Sequence, residues 1–255
     1  MNAVIPITQH DLEIQRNAEV WRNKPLLRQA YSAYYGEIRR QLAPAEIGPR
    51  LEIGSGLGAI KEFIPDCTTS DLFSNPWVER VENAYAISSL GSSLGSIVLF
   101  DVWHHLQYPG TALAEFHRVL RPGGRVVIFD PATSLLGRIV YGLFHHEPIG
   151  KGDAITWCAP AGFDPSAQHY YAAQGNCWQL FSRGVLPPRM ENWRLRRVQL
   201  ESALAYVGTG GFSSRQLYSA NLYPALRRLE CRLNRFPRLF ATRMLVVLEK
   251  PVIAP

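Results

Sequence analysis

Three glycines within five residues, Gly54, Gly56 and Gly58, form the loop of the stretch LEIGSGLG, with Glu52 just before them and Asp71 further along. Glycines at this density let a ligand or a packed element approach the backbone, since no Cβ stands in the way. The spacing is G-x-G-x-G, which lacks the third glycine of the dinucleotide fingerprint at its expected place. Nothing in the chain reads G-x-x-x-x-G-K-[ST], so a P-loop is excluded. Glu52 narrows the ligand: a carboxylate beside the loop would repel a pyrophosphate and suits a cationic amino group. Asp71 follows Gly54 by 17 residues, where a carboxylate can accept hydrogen bonds from both hydroxyls of a ribose.

A second set of reactive groups lies in DVWHHL. Asp101 and His105 are four residues apart, so on a helical turn starting there they would share a face. Imidazole is the side chain suited to taking a proton near neutral pH. His105 is therefore the candidate base, with Asp101 ordering the turn and His104 the lesser partner, in contact with substrate. The competing reading has His105 merely packing the turn. A third set, His145, His146 and Glu147, precedes Pro148 and reads either as substrate pocket or as structure. Neighbouring residues point in different directions, which is poor geometry for one metal ion, so no metal is expected.

These groups need a scaffold, and the chain is long enough to provide one. Its 255 residues are 47% apolar and 19% charged, an ordinary globular composition that fits one α/β domain. No apolar run reaches the length of a membrane span. The first residues lack a basic stretch followed by an apolar one, and the four cysteines are scattered without a C-x-x-C pair, so the cytoplasm is the expected compartment. Charge is uneven. Residues 189–250 hold 11 Arg and 1 Lys against 4 Glu, a net +8, which leaves −2 for the rest. Such a basic segment fits a solvated face, an anionic membrane, a nucleic acid or a phosphorylated substrate.

Periodicity predicts helix over 10–42, interrupted at Pro25, then an alternation of strands and helices. Strands are expected at 50–53, 67–71, 96–102 and 125–129, with a short one near 80–82; helices are expected at 58–64 and 111–120. That alternation predicts a parallel, doubly wound sheet. An apolar helix is expected at 134–144. The Gly-, Pro- and aromatic-rich stretch 150–188 reads as an inserted, substrate-facing segment, with Trp157, Phe163, Tyr170, Tyr171 and Trp178 either stacking on an acceptor or filling a cap. Two further strands, 198–206 and 243–249, enclose a helix with a stripe at Leu222, Leu226, Leu229, Leu233 and Phe236. Its arginines, Arg227, Arg228, Arg232, Arg235 and Arg238, would meet an anionic membrane, or would be solvated if the stripe is simply the core side.

Four blocks in order, LEIGSGLG, TTSD, SIVLFDVWHHL and EFHRVLRPGGRVVIFDP, resemble class I S-adenosylmethionine-dependent methyltransferases, in particular the type 11 methyltransferase-domain group. The resemblance spans residues 51–131. It implies a Rossmann-like, mostly parallel seven-stranded sheet with a C-terminal antiparallel strand and an inserted cap, in a single domain over 1–255. Residues 1–45 would be a helical cover, 46–131 the cofactor-binding core, 132–193 the substrate-facing insert, and 194–255 the C-terminal strands and basic helix. Carried over by position, the resemblance implies that Gly54, Ser55 and Gly56 line the methionine and ribose part of S-adenosyl-L-methionine. It places Glu52 beneath the loop, Asp71 with Leu72 at the ribose, and Asp101 near the amino group. Asn83-Ala84 stands where the family usually has Asp-Ala at the adenine, and the Asn83 carbonyl can still accept from the adenine amino group. ISSLGSSLGS replaces the adenine-side pieces that usually follow. Arg28, on a helix that in this family covers the cofactor, would meet the methionine carboxylate. HHEP and RMLVVLEK further resemble bacterial methyltransferases associated with glycan assembly.

The expected activity is thus methyl transfer to a small-molecule acceptor, foremost a hydroxyl on a glycan precursor or secondary metabolite. Two alternatives stay open. One is a non-catalytic cofactor-binding scaffold of the same fold. The other is a nucleic-acid methyltransferase, disfavoured because no N/D-P-P-Y/F motif for base methylation is present. Peripheral contact with the inner face of a membrane is the further expectation for the basic C-terminal helix.

Overall fold

The computed structural model describes residues 7–144, 148–150, 154–166 and 171–252. Two helices, α1 (Ile7–Asn23) and α2 (Pro25–Gln41), lead into the strands β1 (Arg50–Ile53), β2 (Cys67–Asp71), β3 (Arg80–Val81) and β4 (Leu94–Phe100). Helix α3 (Pro109–Val119) feeds β5 (Leu120–Pro131), followed by α4 (Leu135–Phe144) and α5 (Asn176–Phe181). Strand β6 (Arg194–Glu201), α6 (Leu204–Gly208), α7 (Tyr223–Leu233), α8 (Pro237–Phe240) and β7 (Arg243–Glu249) complete the order.

The strands form one seven-stranded sheet in the order β3-β2-β1-β4-β5-β7-β6. β1 to β5 pair in parallel, and β7 runs antiparallel to both β5 and β6. This is a Rossmann-like, doubly wound sheet with an antiparallel C-terminal pair. Strand order reverses between β1 and β4, and open α/β sheets bind ligands at the carboxyl ends of strands beside such a switch point. All of β4 and nearly all of β7 are buried, as expected of strands covered on both faces.

Tyrosines dress one face of the sheet. Pro25 starts α2, and its buried residues Leu27, Tyr31, Tyr34, Tyr35 and Ile38 recur at helical spacing. Tyr31 stacks on Phe100 at 4.9 Å and Tyr34 tilts onto Phe129 at 4.6 Å between centroids. On the other face, Trp103, Phe116 and Phe181 are fully buried in the second half of the core.

Three expectations are corrected. The strand expected over 198–206 stops at Glu201, and Tyr206 lies on α6, turned toward the sheet edge. Past Glu201 the chain turns into a short helix, and Ala203, Ala205 and Tyr206 pack in the core cluster that also holds α2. The helix expected over 58–64 is only a tight 3-10 turn, Ala59–Glu62, entered through Gly58 in the left-handed region. The leucine stripe is the core side of its helix only in part, since Leu226 packs against the core. Tyr223 and Glu230 face inward, while Leu222, Leu229 and Phe236 are exposed. Glu230 is kept in the interior by Arg227 at 2.5 Å and by the Ala205 N–H, so a charged pair rather than leucine seats the helix.

Candidate active site

One cavity of about 640 Å³ opens at the carboxyl ends of β1, β4 and β5, a volume in the range of small-molecule sites. Glu52, Gly54, Ser55 and Gly56 make one wall, from the end of β1; Asp101, His104, His105 and Arg243 make another, from the ends of β4 and β7. Tyr141 of α4, Tyr206 of α6 and the turn around Gly210–Phe212 close the outer side. Lys24 holds that turn in place by donating to the carbonyls of Thr209, Gly211 and Ser214.

The glycine loop is tied to the neighbouring strand before any ligand arrives. Ser55 N donates to Ser70 O at 2.8 Å, and Ser70 N donates to Ser55 Oγ at 3.1 Å. Asp71 accepts from the Gly56 N–H at 2.8 Å and from the Leu72 N–H at 2.7 Å, clamping the loop from behind. All three glycines have positive φ, yet for different surroundings. A Cβ on Gly54 would come within 2.5 Å of the Val102 side chain, and one on Gly58 within 2.5 Å of Trp77 O. Around Gly56 nothing lies within 4 Å. Gly54 and Gly58 are thus demanded by the protein's own packing, and only Gly56 turns its bare backbone to open space beside the cavity.

Glu52 is 1% exposed. Its Oε1 accepts from Tyr35 OH at 3.2 Å, while Oε2 is buried without a hydrogen-bond partner. Burial pushes its carboxyl up to about 7; bonds from Ser55 and Tyr35 pull the other way, and Asp71 adds to the rise. A buried carboxylate with one orphaned oxygen at the wall of a cavity is incomplete, and a cationic ligand group would complete it.

On the second wall, Asp101 takes the left-handed conformation, φ 56°, rare outside glycine but most tolerated by Asp and Asn. The shared helical face expected for Asp101 and His105 is therefore not formed: the 3-10 turn starts at Trp103, after Asp101 has left the helical region. Both residues still line the cavity. Asp101 pairs with Arg243 of β7, whose guanidinium is 3% exposed and lies 4.6 Å above the Tyr206 ring. His104 Nδ1 lies 2.9 Å from Asp130 Oδ1, and Asp130 is fully buried at the end of β5 with Oδ2 unpartnered. Burial raises the Asp130 carboxyl, with His104 drawing it back. His105 Nδ1 lies 2.8 Å from Tyr171 O. A carbonyl only accepts, so His105 Nδ1 carries the hydrogen there.

Other expected site residues fall elsewhere. Asp71, Leu72, Asn83 and Ala84 are not among the residues lining the cavity. Asn83 donates to Pro165 O and accepts from Tyr85 N, so its amide joins two chain segments. Arg28 sits at the surface, paired with Glu62 at 3.1 Å and 5.9 Å from the Trp21 ring centroid, and does not line the cavity. His145, His146, Glu147 and Tyr170 lie outside the described residues. Sequence reasoning missed Asp130, Tyr206 and Arg243. An arginine opening an otherwise apolar strand, and an aspartate closing another, were the available signals.

A sheet of this topology carries its glycine loop, floored by a carboxylate, at the switch point where open α/β sheets bind nucleoside ligands. Residues 51–128 match the family model described as a methyltransferase domain, which supports an S-adenosylmethionine-dependent methyltransferase. The fold is shared with a SAM-dependent methyltransferase of Thermotoga maritima described as a possible histamine N-methyltransferase, at TM-score 0.52 and 14% identity, over 93% of this chain and 98% of that one. It is shared likewise with a SAM-dependent methyltransferase of Archaeoglobus fulgidus, at TM-score 0.51 and 14% identity, over 88% and 94% of the two chains. No curated protein matches the sequence. The orphaned Glu52 oxygen and the bare backbone at Gly56 both suit that cofactor's methionine end. No helix among the described residues is long and apolar enough to cross a membrane.

Proposed function

We propose that the protein methylates a hydroxyl of a small molecule, with His104 as the base that takes the hydroxyl proton. The observation that carries this is the His104–Asp130 pair at the cavity wall. When bound, S-adenosylmethionine supplies an electrophilic methyl group on a sulfonium, so the protein's tasks are to align the acceptor and remove its proton. Asp130 accepts from His104 Nδ1–H, which orients the ring and leaves Nε2 as the proton-accepting nitrogen. It also stabilises the imidazolium once the proton has moved. His105 is tied through Nδ1 to the Tyr171 carbonyl, so its ring is held by the cap segment rather than by a strand end. We therefore assign the base to His104 and to His105 the shaping of the pocket.

Glu52 takes the cofactor's ammonium on its orphaned oxygen. Asp71 acts from behind, holding the Gly56 N–H and thereby the shape of the loop. Asp101 and Arg243 neutralise one another at the wall and set the position of the turn that carries His104. Tyr31, Tyr141, Tyr206 and Phe212 supply the aromatic lining against which an acceptor would lie. A glycan precursor or a secondary metabolite remains the acceptor class we favour. Contact with an anionic membrane is part of the same proposal, although exposed residues other than the leucine stripe alone would have to make it.

The test is calorimetric titration with S-adenosylmethionine, followed by methyl transfer to panels of phenols, sugars and amines using labelled cofactor. Turnover is expected on hydroxyl acceptors, abolished by His104→Gln with cofactor affinity retained. Turnover confined to amines or carbon acceptors, or undiminished in His104→Gln, would sink the assignment.

A further inference from the structure

Helix α4 has two dissimilar sides. Val140 and Tyr141 line the cavity, whereas Leu135, Ile139 and Leu143, spaced four apart, face outward and are exposed, Leu143 by 74%. Helix α8 packs beside α4, and there Phe236 (60% exposed) and Leu239 stand out in the same way. Four large apolar side chains on two neighbouring helices, with Phe236 at the entry to the second, exceed the scattered single exposures normal for a soluble surface.

The surroundings are cationic. Arg138 lies on α4, and Arg235 and Arg238 flank Phe236 and Leu239. Arg238 also reaches a second, shallower groove of about 370 Å³, lined with it by Arg183, Ser182 and Trp178. No carboxylate among the described residues pairs with Arg138, Arg183, Arg235 or Arg238, in contrast to Arg227 and Arg243, which are each ion-paired. Two arginines, a hydroxyl and an indole converging on one groove match the chemistry of a phosphate-bearing head group.

We propose that the α4–α8 face seats the protein on an anionic lipid bilayer. Leu135, Ile139, Leu143, Phe236 and Leu239 enter the acyl boundary, and Arg183 and Arg238 hold a lipid phosphate in their groove. Charge chooses this occupant. A second copy of the chain would bring like-charged arginines together across a two-fold interface. A nucleic acid would satisfy the arginines and leave five apolar side chains unburied. An anionic bilayer satisfies both sets at once, as interfacial helices with basic flanks do. Because α4 also walls the cavity, docking would set the methyl-transfer site directly against the lipid surface. The surface proposal does not depend on which acceptor is methylated.

The full-length protein should co-sediment with phosphatidylcholine vesicles containing phosphatidylserine at low salt, at least tenfold more than with phosphatidylcholine alone. Ile139→Glu/Leu143→Glu and Arg183→Glu/Arg238→Glu should each cut that binding tenfold or more. Their affinity for S-adenosylmethionine, read by calorimetry, should stay at the wild-type value, which shows that the variants fold and keeps this test separate from the cofactor reading. Absence of pelleting with anionic vesicles overturns the proposal, as does pelleting that neither double variant weakens. Self-association in lipid-free sedimentation velocity that the same variants abolish would assign the face to a second copy instead. Displacement of RNA from the wild-type protein but not from the arginine variant, without vesicle binding, would assign it to a nucleic acid.

Discussion

On one wall of the cavity, Glu52, Gly54, Ser55 and Gly56 follow one another within a single turn of chain. On the other, Asp101, His104, Asp130 and Arg243 are gathered from the ends of three strands, and the Asp101–Arg243 pair alone joins residues 142 apart. The first wall is local: its conformation comes from positive-φ glycines and from bonds to the adjacent strand. The second exists only once β5 and β7 have paired in register, because Pro131 lies opposite Arg243 and Asp130 opposite Met244. The local wall is a cradle, and its geometry tolerates a change of acceptor. The assembled wall carries the paired charges, Asp101 with Arg243 and Asp130 with His104, and it is there that the proposed base stands.

The largest expected effect separates the walls by function. His104→Gln should lower kcat by about 10²- to 10⁴-fold, the usual contribution of a general base, with cofactor Kd unchanged. Equal losses in kcat and cofactor affinity would mean the two walls are not independent. Next comes stability. Asp101→Asn keeps a residue tolerant of positive φ but leaves the Arg243 cation buried without its counter-charge, which should cost about 3 kcal/mol in denaturant unfolding. A loss below about 1 kcal/mol would show that water reaches the guanidinium.

A pair of glycine variants sharpens the comparison inside the local wall. Gly54→Ala meets Val102 as well as a strained φ and should destabilise the fold by about 2–3 kcal/mol. Gly56→Ala has room for its Cβ, so only the backbone strain, about 1 kcal/mol, should appear in unfolding, while cofactor affinity falls by more. The reverse order would mean that the loop relaxes around Val102 and that Gly56 does not meet the ligand.

The smallest effect is a pH dependence. Glu52 titrates near 7 in the ligand-free fold against an ordinary 4.5, so the folded state holds its proton longer than the unfolded one. Stability from this group therefore falls as pH rises from about 4.5 to about 7. Binding a cation requires the ionised form, so cofactor affinity should rise roughly tenfold between pH 6 and 7.5. In Glu52→Gln that slope should flatten. A pH-independent Kd in the wild type would remove Glu52 from the ammonium site.

Much of the fold was legible in the sequence. β1, β2 and β7 occupy the residues expected for them, and Pro25 divides the first two helices as expected. These features depend on local propensity and on steric rules that act over a few residues. Tyr206 and the leucine stripe were misread for one reason: amphipathic pattern says that a side is apolar, but not which neighbour is available to cover it. Tyr206 found the sheet edge, whereas Leu222 and Leu229 found no partner because the Glu230–Arg227 pair and Tyr223 took the inner side of their helix.

By itself the sequence pointed to the class of cofactor through the four blocks that resemble S-adenosylmethionine-dependent methyltransferases, with the acidic residue before the glycine loop disfavouring a pyrophosphate by charge. It also determined the alternation that makes a parallel sheet. Only the tertiary structure decided which histidine stands beside a buried carboxylate, that Asp101 meets Arg243, and which two of the three glycines serve the protein's own packing. Those outcomes depend on which residues become neighbours when strands far apart in the chain pair in register. Hydrogen bonds and ion pairs act over a few ångströms of space, whatever the separation along the chain.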